Sequence, residues 1–395
     1  MKSKEIKQLA EQYFEEVLEI REHLHQHPEL SFEEFETSKY LKSKLNEWGI
    51  SIDAEWVKTG FSVVLEGKEA GPTIALRADL DALPIQEQNE TPYRSKNQGK
   101  MHACGHDVHA ACLMGVIKIL NNCRNQWNGK VVCFFQAGEE KLPGGASLMI
   151  KEGIIEKYQP DTILAQHVYP EFEVGNVGFR KGMYMASADE IYLTVKGKGG
   201  HAALPHNNVD TIVMASSLIV NLQQLSSRIA PPTIPTVLSF GKIEGLGATN
   251  VIPDEVKIEG TLRTMNEEWR SIYHKKIATI CKSTTKSMGG SCDVDIRKGY
   301  PFLVNDDNAT ALSQQAAIEY LGTDKVHELD LRMTAEDFAY FSQHAKVCFY
   351  RLGVGNQAKG IKHSVHHPRF DIDPNALKVG SGLMAQIALH HLASN

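Results

Sequence analysis

Apolar residues recur at helical spacing from the start of the chain. Ile6, Leu9, Phe14, Val17, Leu18, Ile20 and Leu24 stand among charged neighbours and predict one long helix over 4–26, with Pro28 just past its end. Phe35, Tyr40, Leu41, Leu45 and Trp48 predict a second over 33–48, closed by Gly49. The period then shortens. Runs at 62–65, 73–77, 130–135 and 162–165 have the length and apolar content of buried strands. Helices are predicted between them, near 108–122 and from Gly144-Gly145 to about Gly153. In this alternating series Asp79 and Asp81, the Glu139-Glu140 pair, and His167 each fall just past a strand, the edge at which open α/β sheets bind ligands.

From 187 to 297 the pattern differs. A strand alternating Ile191, Leu193 and Val195 with polar residues precedes a helix carrying Val209, Ile212, Val213, Ile219, Leu222 and Leu225. Strands at 237–243 and 256–262, a helix near 267–288 and a strand carrying Cys292, Val294 and Ile296 follow. The order β-α-β-β-α-β predicts a ferredoxin-like domain inserted into an α/β domain. The latter resumes with helices near 306–321 and 335–343, a strand at 347–352 and a helix near 375–392. The expected division is 1–186 and 298–395 for the α/β domain and 187–297 for the insert.

Composition narrows the function without naming it. A chain of 395 residues with 42% hydrophobic and 23% charged residues is an ordinary globular protein of two or three domains. A net charge of −6 argues against a general nucleic-acid binder. There is no apolar run long enough to span a membrane and no apolar leader, and seven cysteines without a leader are expected to be reduced thiols of a cytoplasmic enzyme.

Candidate chemistry concentrates in Met101-His-Ala-Cys-Gly-His-Asp-Val-His109, where Gly105 allows a tight turn and Asp107 is expected to cap the following helix. Thiolate with imidazole favours a borderline-soft cation such as zinc over calcium or magnesium. Each other candidate has a mundane reading when taken singly: Glu139-Glu140 as a solvated pair, His167 as a strand cap, His366-His367 as a surface turn. Together, Cys104, His106, Glu140, His167 and His366 come from four loops of one sheet edge, and five ligands exceed what one tetrahedral ion needs. A two-metal centre is the expectation, with one member of the Glu pair binding metal and its neighbour moving a proton.

Seven motifs carry a family resemblance: Arg77-Ala-Asp-Leu-Asp-Ala-Leu-Pro84, the 101–109 stretch, Gln136-Ala-Gly-Glu-Glu140, Gly199-Gly-His-Ala-Ala-Leu-Pro-His206, Asn250-Val-Ile-Pro253, Gly260-Thr-Leu-Arg-Thr264 and Glu336-Asp-Phe-Ala339. They resemble the amidohydrolase branch of the aminoacylase/carboxypeptidase metallopeptidases, which includes hippurate hydrolases, N-acetyl-diaminopimelate deacetylases and hydrolases of indole-acetyl amino acids. The resemblance implies a zinc-peptidase-like α/β catalytic domain with two divalent metals (zinc, manganese, nickel or cobalt) and a ferredoxin-like lid that mediates homodimerisation. It implies that Cys104, His106, Glu140, His167 and His366 are metal ligands, that Glu139 is the catalytic base, and that Asp79 and Asp81 orient ligands from behind. His367 is the rival of His366, which is favoured for standing two residues before the proline. His201 matches a histidine that reaches the scissile carbonyl oxygen, often from a partner subunit. Asn250 and Arg263 match residues holding the substrate's amide and carboxylate; Arg263 read alone is a strand-face ion pair. Gly138 departs from the branch's usual alanine, with no loss of chemistry expected.

The implied reaction is hydrolysis of an N-acyl amino acid, a small-molecule substrate, to a carboxylate and a free amino acid. The alternatives are a dipeptidase or carboxypeptidase using the same centre, a metal-binding scaffold without turnover, and a cysteine hydrolase built on Cys104.

Overall fold

The computed structural model describes residues 2–394. The chain divides into two compact units. The first comprises Met1–Gly182, Val304–Asp330 and Tyr340–Asn395, and the second Met183–Leu303 with Leu331–Ala339.

The first unit is built on an eight-stranded sheet. Its order is Ala54–Trp56, Gly60–Glu66, Lys130–Gln136, Thr73–Asp79, Thr162–Glu173, Lys346–Gly355, Val177–Phe179 and Val326–Glu328. The four central strands run parallel, and their residues are almost all buried, which is why they read as continuous apolar runs. Register places the polar residues. Asp79 pairs with Gln136 and Arg77 with Ala165, so His167, two residues further along, stands level with the ends of the strands Thr73–Asp79 and Lys130–Gln136.

His167 thus lies inside a strand that runs on to Glu173, not after one that stops at 165. The strand continues past its polar residues because Lys346–Gly355 pairs with it as far as Gly355 opposite Glu173.

Helices cover the sheet. His106–Asn122 is buried along nearly its whole length and packs against Phe14–Gln26 and Asn375–Ala393. Gly115 makes that approach close: a Cβ there would lie 2.4 Å from Ser381 Oγ and 3.0 Å from Val17 Cγ2.

Two expectations are corrected. The long first helix is two, Ser3–Gln12 and Phe14–Gln26, broken at Tyr13 (ψ 2°). Asp107 does not cap the helix of the histidine loop. Gly105, in the left-handed region at φ 79°, takes that position, while Asp107 turns inward to accept from Arg21 Nε at 2.9 Å and His25 Nδ1 at 2.7 Å. A buried cation outcompetes the first backbone N–H groups of the helix for this carboxylate.

The second unit has the expected β-α-β-β-α-β order. Strands Asp189–Lys196, Thr236–Glu244, Glu255–Thr264 and Ser291–Lys298 form an antiparallel sheet in which Thr236–Glu244 and Ser291–Lys298 are the edges. Helices Thr211–Leu222 and Glu267–Ser287 pack on it around a separate core that includes Leu193, Leu218, Ile258 and Ile277. Both helices carry real side-chain caps, Asp210 and Asn266.

Candidate metal centre

In the first unit the sheet edge gathers the predicted ligands. At φ 79° and with Val168 Cγ2 2.6 Å from where a Cβ would be, Gly105 permits the turn that sets Cys104 and His106 side by side. Cys104 Sγ lies 3.5 Å from His167 Nε2. His167 Nδ1 donates to Val168 O (2.8 Å), which leaves the lone pair on Nε2. His106 is oriented the same way, Nδ1 donating to Asp81 Oδ1 at 3.2 Å. Both imidazoles therefore present Nε2, fixed by an acceptor behind them, as metal-binding histidines do.

The ligand atoms of Cys104, His106 and His167 lie within 4.8 Å of one another, as do those of Cys104, Glu140 and His366, and those of His106, Glu139 and Glu140. Three groups overlapping through Cys104, His106 and Glu140 have room for more than one cation.

His366 N–H donates to Ala103 O at 2.7 Å, tying its loop to the cysteine loop, and His366 Nε2 is 3.3 Å from Glu140 Oε1. His367 is turned to other work: its Nδ1 accepts from Arg369 N–H, and its ring stacks on His363.

The donor set passes a test for a cation. His106 Nε2 and Glu140 Oε1 are buried and complete no hydrogen bond. Burying an unsatisfied polar atom costs about 1–3 kcal/mol, a cost that a divalent ion at these atoms would remove. Thiolate, imidazole and carboxylate together suit a divalent transition-metal ion.

Asp79 and His109 form a further group with His106 whose ligand atoms lie within 4.8 Å of one another, and hydrogen bonds engage both. Asp79 accepts from Arg77 Nη1 (2.5 Å) and His109 Nδ1 (2.6 Å), while His109 Nε2 accepts from Val168 N–H (3.0 Å). Both imidazole nitrogens of His109 are thereby used. Burial, then the nearby Arg351, hold His167 well below the ordinary histidine value, and so in the neutral form a cation needs. Cys104 and then Glu140 raise His366 to about 10. Burial and the Glu140 charge raise the Cys104 thiol, which argues against a metal-free thiolate nucleophile.

Asp81 reaches furthest. It accepts from the backbone N–H of Glu139 (Oδ1, 3.0 Å) and of Glu140 (Oδ2, 2.9 Å), besides the Ser31 hydroxyl.

The remaining predicted residues belong to the second unit. His201, exposed, lies in Gly200–His201, which pairs with Val251–Ile252, so Asn250 adjoins it; Ala202 N–H donates to Asn250 O at 3.0 Å. Arg263, half-buried on Glu255–Thr264, donates Nε to Thr261 Oγ1 at 3.1 Å and forms no ion pair among the described residues.

Two residues escaped the sequence reading. Glu34 is one of several glutamates in 29–36, and no spacing distinguishes it; only its complete burial does. Arg21 looks like a surface residue of an amphipathic helix, yet its guanidinium is sealed in the core.

The model of peptidase family M20/M25/M40 matches residues 75–390. The chain belongs to this family. It is 40% identical to the N-acetyl-L-cysteine deacetylase of Bacillus subtilis (strain 168), over 96% of this chain and 89% of that protein. It is 38% identical to the N-acyl-L-amino acid amidohydrolase of Geobacillus stearothermophilus, over 78% and 82%. It is 35% identical to IAA-amino acid hydrolase ILR1-like 4 of Arabidopsis thaliana, over 96% and 86%. Among solved structures, the Bacillus subtilis YxeP protein, a dinuclear metal-binding peptidase of family M20, superposes with a TM-score of 0.82 at 31% identity, covering 98% of this chain and 100% of that one. The M20 relatives with named activities are thus hydrolases of amide bonds.

Proposed function

We propose that this M20 protein hydrolyses the amide bond of N-acyl amino acids, releasing a carboxylate and a free amino acid. The observation that carries the reading is the overlap of three ligand groups around Cys104, His106 and Glu140 with Glu139 buried beside them. The names of its relatives supply the substrate class.

Cys104, His106, Glu140, His167 and His366 would hold two divalent cations, which when bound polarise a carbonyl and acidify water. Glu139 takes the proton of the attacking water and passes it to the amine nitrogen as the C–N bond breaks. His201 donates to the carbonyl oxygen as charge builds on it. Asn250 holds the substrate amide, and Arg263 grips its carboxylate through paired N–H groups. The 187–297 domain acts as a lid, bringing His201 to the reaction by closure or from a second copy.

A homodimer through that domain is supported by its apolar surface: Val213 and Val220 (70% exposed) lie on helix Thr211–Leu222 and Ile243 (53%) on the edge strand Thr236–Glu244. Seven free, buried thiols fit a reducing compartment, the cytoplasm. No helix among the described residues is long and apolar enough to cross a membrane.

The experiment is turnover of acetyl-, benzoyl- and indole-acetyl-amino acids, with dipeptides alongside, by metal-free and metal-reconstituted protein. Turnover of acyl amino acids only after reconstitution is expected. Turnover of dipeptides alone would favour a peptidase, and full activity in protein shown metal-free by elemental analysis would refute the metal chemistry.

A further inference from the structure

Glu34 is the most unusual carboxylate of the first unit outside the ligand set. It is fully buried, and it forms no ion pair among the described residues. It occupies the N-cap position of helix Phe35–Glu47, yet its side chain makes no capping bond to that helix. Its acceptors point elsewhere. Oε1 accepts from Gly138 N–H at 2.8 Å and from Phe32 N–H at 2.9 Å, and Oε2 accepts from the Thr59 hydroxyl at 2.6 Å.

Gly138 is the first of three successive residues whose N–H groups all end on buried carboxylates. Glu34 takes that of Gly138, and Asp81 takes those of Glu139 and Glu140. Gly138 O in turn accepts from Gly145 N–H at 2.8 Å. The loop is also held sterically. Gly138 adopts φ +59°, and a Cβ there would lie 2.3–2.7 Å from the Phe32 ring. Phe32 is itself left-handed at φ 68°, a conformation that the bond from its N–H to Glu34 helps to hold. One oxygen of Glu34 thus fixes both the loop and the ring that closes over it.

We propose that Glu34 is a positioning residue: with Asp81 it sets the backbone of Gly138-Glu139-Glu140, and through it the direction from which the Glu139 carboxylate meets the substrate. This rests on the proposed role of Glu139 as base. A carboxylate buried without a cation is expensive, and a capping role is ruled out by its geometry. What it supplies is acceptors at one point for donors from three segments, which a catalytic group on a loop needs from its surroundings.

The test uses the full-length, metal-loaded protein and an acetyl-amino acid substrate. Glu34→Ala, Glu34→Gln and Glu139→Gln are compared singly, and Glu34→Ala is also combined with Glu139→Gln. Metal content and thermal unfolding are measured for each. Glu34→Ala should lower kcat about tenfold or more, the scale of a misplaced catalytic group, with KM and metal content little changed. Glu34→Gln keeps an acceptor for Gly138 and Phe32 and can turn its amide to the Thr59 hydroxyl, so it should stay near wild type. If Glu34 acts through Glu139, adding Glu34→Ala to Glu139→Gln costs no further activity.

Unchanged kcat in Glu34→Ala, full additivity with Glu139→Gln, or activity lost in proportion to metal would each overturn the proposal. An active Glu139→Gln would instead overturn the reading on which it rests. Should Glu34→Ala not fold, Thr59→Val frees one end of the carboxylate. It is expected to lower kcat severalfold at unchanged KM, and wild-type kcat there would refute the idea.

Discussion

Replacing Arg21 with leucine isolates what holds the metal-bearing loops in place. The guanidinium is fully buried and sits 4.7 Å from the Tyr93 ring centroid. Its Nε is 2.9 Å from Asp107 Oδ2 and its Nη2 3.3 Å from Asp371 Oδ1. Asp107 follows His106 in sequence, and Asp371 stands five residues after His366 on a second ligand-bearing loop. One cation thus clamps both. Against the penalty of burial, Arg21 and then His25 hold the Asp107 carboxyl far below its ordinary value. Such a depressed group contributes stability above the ordinary carboxylate range that is lost only as pH falls, so at pH 7 the contribution is complete. Arg21→Leu leaves Asp107 charged, buried and supported only by His25. Breaking a buried pair in this way costs about 3–5 kcal/mol. Adding Asp107→Asn removes the stranded charge, and the double variant should recover about 1–3 kcal/mol relative to the sum of the singles. Urea unfolding of metal-free protein by tryptophan fluorescence reports it well, since Trp48, Trp56 and Trp127 lie in the first unit and only Trp269 in the second. Metal affinity of Arg21→Leu should fall by about 10–100-fold, the usual cost of losing support behind ligands. Destabilisation below about 1 kcal/mol, with additive variants, would refute the clamp.

Glu139→Gln should keep metal and lose at least about 100-fold in kcat, whereas Glu140→Gln should lose metal affinity; the reverse pattern in titration and kinetics overturns the division of the pair. Mixing inactive Glu139→Gln with inactive His201→Ala should restore activity if His201 serves the partner's site, and no recovery after verified subunit exchange places its action within its own chain or nowhere. Burial, then the charge of Asp81, raise Glu34 to about 7 from an ordinary 4.5. Its contribution to stability is therefore full below pH 4.5 and is lost as pH rises through 7, so the melting temperature of wild type relative to Glu34→Gln should fall across that window, and a constant difference would refute the shift.

The sheet strands and the inserted β-α-β-β-α-β unit were legible because burial writes itself into periodicity. Val131-Val-Cys-Phe-Phe135 has no polar face to hide, and the alternation of Ile191, Leu193 and Val195 with Tyr192, Thr194 and Lys196 has one. Candidate ligands were legible for another reason: Cys104 and His106 crowd into one short stretch at a helix entry, and the Glu pair follows directly on a strand end. Two things escaped. Asp107 carries the sequence signature of a helix cap, and only the remote Arg21 and His25 redirect it. Glu34 is indistinguishable from Glu33 and Glu36 until the fold buries it, because its partners Gly138 and Thr59 are 104 and 25 residues away. Local pattern records what a residue does for its own element, not what it accepts from another.

That distinction explains why so many acids surround the site without being counted among its ligands. Asp79, Asp81, Asp107 and Glu34 are all buried, and each accepts hydrogen bonds from two or more groups near the metal-bearing loops. Apolar side chains replacing such a carboxylate together with its partners would often favour stability, because burying a carboxylate is costly even when it is paired. The arrangement makes sense only if orientation is what is being fixed: Nε2 of His106 through Asp81, the ring of His109 through Asp79, the cysteine loop through Asp107, and the Glu139 backbone through Asp81 and Glu34. Donors and acceptors held before substrate arrives need no rearrangement when charge develops, which is where electrostatic catalysis gains most. Variants at these acids should therefore damage turnover more than their distance from the reacting atoms implies.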